Sequence, residues 1–248
     1  MNGARIQIEA ADGTIPCRTY HPPIGEARAW PAVVYLMDGM GIRPTLLGAA
    51  EKLAGEGFYV LVPDLYYRGR PYAPFDHSTL QDDPVEQQRV MGLVKLVTND
   101  GVMRDLRAFF DFFDRQAEVQ GSRVGCVGYC MGGPLALYAA GTFPERVTAA
   151  ASIHGANLAT DRPDSPHLLA EKMTGELYLG VAEHDPYIIP GETERIDAAL
   201  REAGASYRLE RYPGCHHGFA LPGAHGYDTK ADGLHRQRIV DLFRRNLG

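Results

Sequence analysis

One segment constrains this chain more than any other: Arg123–Pro134, RVGCVGYCMGGP. A short apolar run, Arg123–Val127, predicts a buried strand, and Met131–Gly141 predicts a helix of small residues. Between them stands Gly128-Tyr129-Cys130-Met131-Gly132. A Gly-x-Cys-x-Gly pattern at a strand-to-helix junction describes a sharp turn whose central side chain projects from the end of a sheet. The positions two before and two after then lie against neighbouring backbone, where a Cβ would clash, so both are glycine. Gly133 gives the helix room to pack on the strand. Pro134 is tolerated because the first helical turn has no intrahelical partner for its N–H. The helix N-terminus would favour a thiolate at Cys130 and would offer the Met131 N–H to a developing oxyanion. The alternative, a structural thiol on a glycine-rich turn, fits Cys126 inside the strand better than Cys130.

The rest of the chain repeats the strand-then-helix theme. Arg5–Glu9 and Ile15–Tyr20 read as antiparallel strands joined at Asp12-Gly13. Ala32–Leu36 and Phe58–Val62 are continuous apolar runs, as strands buried on both faces require. Pro44 to Glu56 reads as a helix stopped by Gly57. A Pro-, Gly-, Tyr- and Arg-rich excursion from Asp64 to about Asp83 precedes helices at Val85–Val97 and Asn99–Glu118. In the second helix Val102, Leu106, Phe109, Phe110 and Phe113 recur at helical spacing and belong to the core. Strands Val147–Ile153 and Leu177–Val181 are separated by a Pro/Asp/Ser-bearing loop, and helix Pro190–Ala203, strand Ser206–Tyr212 and helix Lys230–Asn246 follow. This pattern predicts one α/β domain over residues 1–248: a mostly parallel, doubly wound sheet with an antiparallel N-terminal hairpin.

Composition bears on what such a domain can bind. The net charge is −6, with both signs interspersed, which argues against nucleic acid and anionic membrane surfaces. No apolar run approaches the roughly 20 residues needed to span a bilayer, and MNGARIQIEAADG lacks the apolar core of a signal peptide. The cysteines Cys17, Cys126, Cys130 and Cys215 show no Cys-x-x-Cys spacing, so reduced thiols and a cytoplasmic setting are expected. His216, His217, His225 and His235 follow no zinc spacing, and no metal is expected.

A reactive Cys130 needs partners, and in a sheet of this kind the order is nucleophile, acid, histidine. Strand Leu177–Val181 runs into Ala182-Glu183-His184-Asp185-Pro186, which makes Asp185 the candidate acid and Glu183 its competitor. The next strand ends in Pro213-Gly214-Cys215-His216-His217-Gly218-Phe219, so His216 or His217 is the candidate base. The loop Met37-Asp38-Gly39-Met40-Gly41 follows the first central strand. Its Gly39 N–H is the candidate second oxyanion donor beside Met131 N–H, and Asp38 is a candidate partner for the thiol proton.

Four stretches resemble the dienelactone hydrolase (carboxymethylenebutenolidase) family of the α/β-hydrolase fold. They are VPDLYYR at Val62–Arg68, VGYCMGG at Val127–Gly133, the EHDPYIIP loop around Asp185, and YPGCHHGF around His217. The resemblance implies a cofactor-free hydrolase of small-molecule lactones or esters, working through an acyl-enzyme on Cys130. His217 would be the base, since His-Gly-Phe matches the family, with Asp185 as orienting acid and Gly39 and Met131 as oxyanion donors. Two departures stand out. A thiol-activating glutamate of the family is Asp38 here. Of two arginines that bind the substrate carboxylate, one corresponds loosely to Arg89, and the other, four residues after the histidine, is Leu221. Arg68 and Arg70 are further candidates for that contact. The competing reading is a non-catalytic, redox-sensing α/β-hydrolase-fold protein with a reactive Cys130.

Overall fold

The computed structural model describes residues 2–25, 29–69, 71–76, 80 and 82–248. Its strands are β1 (Asn2–Ala10), β2 (Gly13–His21), β3 (Trp30–Leu36), β4 (Tyr59–Pro63), β5 (Val119–Tyr129), β6 (Val147–Ile153), β7 (Glu176–His184) and β8 (Tyr207–His216). They form a single sheet in the order β1-β2-β4-β3-β5-β6-β7-β8. β1 and β2 form the expected antiparallel hairpin, with Ile8 opposite Ile15, and β2 joins β4 antiparallel. From β4 onward every pairing is parallel. The α-helices are α1 (Pro44–Gly55), α2 (Pro84–Val94), α3 (Asn99–Phe113), α4 (Gly132–Thr142), α5 (Glu192–Glu202) and α6 (Thr229–Leu247). A 3₁₀ helix at Pro166–Lys172 falls within a segment that the sequence marks only as loop.

Two glycines of β5 show how the sheet is covered. A Cβ on Gly125 would press on Phe243 of α6, whereas one on Gly128 would overlap the Gly132 carbonyl at the start of α4. Residues three apart in a strand face opposite sides, so α6 and α4 cover opposite faces of the central strand. The aromatic stripe of α3 is buried as its spacing requires: Val102, Leu106 and Phe109 are fully inaccessible, with Phe110 and Phe113 nearly so. Each such side chain contributes roughly 1.5–3 kcal/mol by leaving water.

Helix α3 ends earlier than its pattern predicts, at Phe113 rather than Glu118. The Arg115 and Gln116 N–H groups close tight turns onto the Phe112 and Phe113 carbonyls, and Val119 already pairs with Trp30 in the sheet. Strands β7 and β8 run the other way, past their predicted ends. After an irregularity at Ala182/His184, His184 still pairs with His216. This extension positions the site, because it delivers Asp185 and His217 side by side just beyond the last paired residues.

Candidate active site

Cys130 follows β5 with φ 50°, in the left-handed region. A non-glycine residue there carries strain of about 1–3 kcal/mol, which the surroundings must impose. Here they do. The Cys130 N–H donates to the Ile153 carbonyl of neighbouring β6 at 3.0 Å, and the Cys130 carbonyl accepts from the Gly133 N–H at 3.0 Å. A Cβ on Gly132 would lie 2.6 Å from the Leu36 carbonyl oxygen and 2.8 Å from that of Met37. One on Gly133 would meet Ser152 Oγ at 2.5 Å and Gly155 Cα at 2.8 Å. The glycines are thus required by close approach, and Cys130 is left half-buried at the C-terminal edge of the sheet. Cys126 is fully buried inside β5, where loss of solvation pushes its thiol up to about 12. It is an inert core thiol, and Cys17 and Cys215 are buried as well.

Asp185 and His217 meet as the sequence order predicts. His217 Nδ1 donates to Asp185 Oδ2 at 2.7 Å, and Asp185 Oδ1 accepts the Tyr187 N–H at 3.0 Å. The carboxylate is buried, its side chain only 1% exposed. Burial opposes charge on the ring, yet the bond to Asp185 and the neighbouring Cys130 side chain outweigh it and raise the His217 pKa from 6.5 to about 10. The competitors lie elsewhere. Glu183 is exposed and accepts the Gly214 N–H at 2.6 Å, and His216 is exposed and packs against His184.

The loop after β3 presents its N–H groups in a definite order. Met40 N–H donates to Asp38 Oδ1 at 3.0 Å, Gly41 N–H to the Asp38 carbonyl at 3.1 Å, and Ile42 N–H to Tyr72 Oη at 3.1 Å. Neither Gly39 N–H nor Met131 N–H meets an acceptor among the described residues. Backbone donors in a packed region are generally satisfied, so these two N–H groups stand available to a bound group.

Four other candidates are placed differently from expectation. Asp38 does not turn its carboxylate to the thiol. It forms a two-pronged ion pair with Arg43, at 2.6 and 2.7 Å, and both residues are buried. A planar guanidinium matches a carboxylate in this way, which explains why the short aspartate is directed there. Arg68 binds Asp12, Asp105 and the Gly101 carbonyl, tying the β1–β2 turn to α3. Arg89 pairs with Glu86, donates to the Ala73 carbonyl and lies 3.9 Å over the Phe75 ring. Leu221 is 1% exposed and belongs to the core. Arg70 lies outside the described residues.

The structure adds two residues that the sequence reading passes over. His154 directly follows β6 with φ 39°, is 1% exposed, and packs edge-to-face on His217 with ring centroids 5.0 Å apart. Neither of its ring nitrogens has a hydrogen-bond partner, and burial lowers its pKa well below 6.5. Tyr187 also packs edge-to-face on His217, with ring centroids 4.6 Å apart, so the His217 ring contacts two others. A signal for His154 was present: a polar residue closing an apolar strand at the same sheet edge as Cys130. Among the described residues no group of three or more His, Cys, Asp or Glu could hold a metal ion, and no helix is long and apolar enough to cross a membrane.

A mostly parallel sheet with a cysteine on a strand-to-helix elbow, and an Asp–His pair delivered to the same edge, defines a hydrolase of the α/β-hydrolase fold. Comparison with known proteins narrows this: the family model described as "Dienelactone hydrolase family" matches residues 18–247, and the chain belongs to that family. Carboxymethylenebutenolidase 1 of Cupriavidus pinatubonensis is 27% identical over 216 residues, covering 86% of this chain and 85% of that protein. A solved structure from Klebsiella pneumoniae superposes with a TM-score of 0.83 at 22% identity, over 98% of both chains. The dienelactone hydrolase of Anabaena variabilis superposes with a TM-score of 0.68 at 21% identity, over 100% of this chain and 99% of that one.

Proposed function

We propose that this protein is a cysteine-dependent hydrolase of lactones or esters that works through an acyl-enzyme on Cys130. The observation that carries the reading is His217, which bonds Asp185 through Nδ1 at 2.7 Å and whose charged form is favoured by both Asp185 and the Cys130 side chain. In this reading the sulfur attacks the substrate carbonyl carbon, and His217 holds the proton that the thiol gives up. As the S–C bond forms, the carbonyl π pair moves onto oxygen, where the Gly39 and Met131 N–H groups receive it. The intermediate then collapses and expels the alkoxide or enolate, which takes its proton from His217. Water next attacks the thioester with His217 as base, releasing the acid and restoring the thiol. Asp185 fixes the tautomer and stabilises the imidazolium.

The arginines bear on substrate class. Arg68 and Arg89 are each neutralised by carboxylates of the chain itself, and Leu221 is buried. This supports a neutral ester or lactone as the substrate, in place of a carboxylated one. The four cysteines are free thiols, which suits the reducing cytoplasm. Steady turnover of p-nitrophenyl acetate, abolished in Cys130→Ala, is the expected result. One stoichiometric burst without turnover, or reversible oxidation of Cys130 alone, would favour the redox-sensing alternative instead.

A further inference from the structure

Tyr66 lies in the tyrosine-rich stretch after β4 and is 1% exposed. Its hydroxyl donates to the Gly39 carbonyl at 2.7 Å and lies 3.9 Å from Met131 Sδ. It therefore spans the two residues whose N–H groups are free. The peptide that begins with the Gly39 carbonyl is held at its other end too, where Met40 N–H donates to Asp38 and Asp38 is gripped by Arg43. Gly39 is a flexible residue, and a Cβ placed on it would meet nothing closer than 3.5 Å. The Gly39 N–H lies in the preceding peptide, whose Asp38 carbonyl accepts from the Gly41 N–H at 3.1 Å. With Tyr66 on the following peptide, both sides of Gly39 are held and the direction of its N–H is set. Burial raises the Tyr66 pKa far above 10, and Asp38, Tyr72, Cys130 and Asp64 raise it further, so the phenol stays a donor throughout the working pH range.

We infer that Tyr66 is a positioning residue for the oxyanion hole: its hydroxyl, by holding the Gly39 carbonyl, aims the Gly39 N–H at the oxygen of the tetrahedral intermediate. The inference rests on the acyl-enzyme reading above. It assigns the tyrosine of the 64–83 excursion a task in the chemical step, which neither ring packing nor the catalytic cysteine, histidine and aspartate supplies. Removing an oxyanion donor outright costs about a hundred- to a thousandfold in kcat, and loosening one costs part of that.

The test compares two reactions of the same thiol in Tyr66→Phe. Turnover of p-nitrophenyl acetate passes through an oxyanion; alkylation of Cys130 by iodoacetamide does not. The expected result is a kcat lower by about tenfold or more, KM within about threefold, and an alkylation rate within about twofold of wild type. Acetaldehyde adds to the thiol as a thiohemiacetal, with its oxygen in the hole, and its inhibition should weaken by the same factor as kcat. Replacing Tyr66 by 4-aminophenylalanine, which restores an N–H donor at the ring tip, should recover most of the rate, and it keeps the question open to measurement if the phenylalanine variant folds poorly. Full turnover in Tyr66→Phe, or turnover and alkylation falling together, would overturn the inference. Cys130→Ala is run alongside: if it is inactive while Tyr66→Phe is unimpaired, this inference alone fails, and if it retains turnover both readings fail.

Discussion

At the residue scale, the proposed acyl-enzyme reading makes Cys130, His217 and Asp185 one unit, and their variants should show it. Cys130→Ala and His217→Ala should each lower kcat by several orders of magnitude, with the double variant hardly worse than either single. His216→Ala should leave most of the rate, because His216 is exposed and packs on His184; a reversal of the two histidines in steady-state kinetics would contradict the assignment. The protonation of His217 also makes a stability prediction. Its folded pKa, about 10, lies above the unfolded value of 6.5. The proton therefore stabilises the fold fully below the unfolded pKa, and that contribution is lost as pH rises through the folded one. Urea titrations across this window should show wild type losing more stability than His217→Gln; parallel pH profiles would contradict it. His154 predicts a gain. Its two unpartnered buried nitrogens each carry a desolvation penalty of about 1–3 kcal/mol, so His154→Phe should raise Tm. A lower Tm would mean that the nitrogens are satisfied in solution. Of these residues the order along the chain made Cys130, Asp185 and the histidine pair legible as candidates. His154 carried a weaker signal, its place after an apolar strand, and its contacts with His217 and Phe219 come from segments far away in sequence.

At the element scale, the elbow and the loop after β3 are held by different physics. The elbow depends on close approach, and its glycine pattern could be read directly: Gly128→Ala would place a methyl on the Gly132 carbonyl. The loop depends on a buried ion pair between Asp38 and Arg43, which no local pattern announces, because the aspartate's partner could have been the thiol. Breaking such a pair from one side costs about 3–5 kcal/mol, since a buried charge is left unmatched. Asp38→Asn should therefore lower the unfolding free energy by several kcal/mol in denaturant titrations. Asp38→Asn combined with Arg43→Met should recover part of that loss. An Asp38→Asn protein of unchanged stability would return Asp38 to the role of thiol partner. Strand ends were legible only to within a few residues, for a related reason. The pairing of His184 with His216 continues past the apolar run and is maintained by the sheet, with no signal in local composition.

At the scale of the whole molecule, the alternation of strands and helices was sufficient to predict the parallel sheet and its antiparallel hairpin. The substrate side was less legible, because an arginine's sequence position does not reveal which carboxylate it will meet. Arg68 meets Asp105 on α3, and Arg89 meets Glu86 one turn away on α2. Neutral short-chain esters or lactones should accordingly be turned over at least as efficiently as a carboxylated lactone, as kcat/KM for matched pairs will show. Leu221→Arg should not add a carboxylate site. It would bury a guanidinium in the core and lower Tm.

The most direct test of the account is to quench p-nitrophenyl acetate turnover in acid and map the acylated peptide by mass spectrometry. The account predicts an acetyl group on Cys130 that forms and disappears within the turnover time and is absent from Cys130→Ala. Sustained turnover with no adduct on Cys130, or with the acetyl group on another residue, would contradict it.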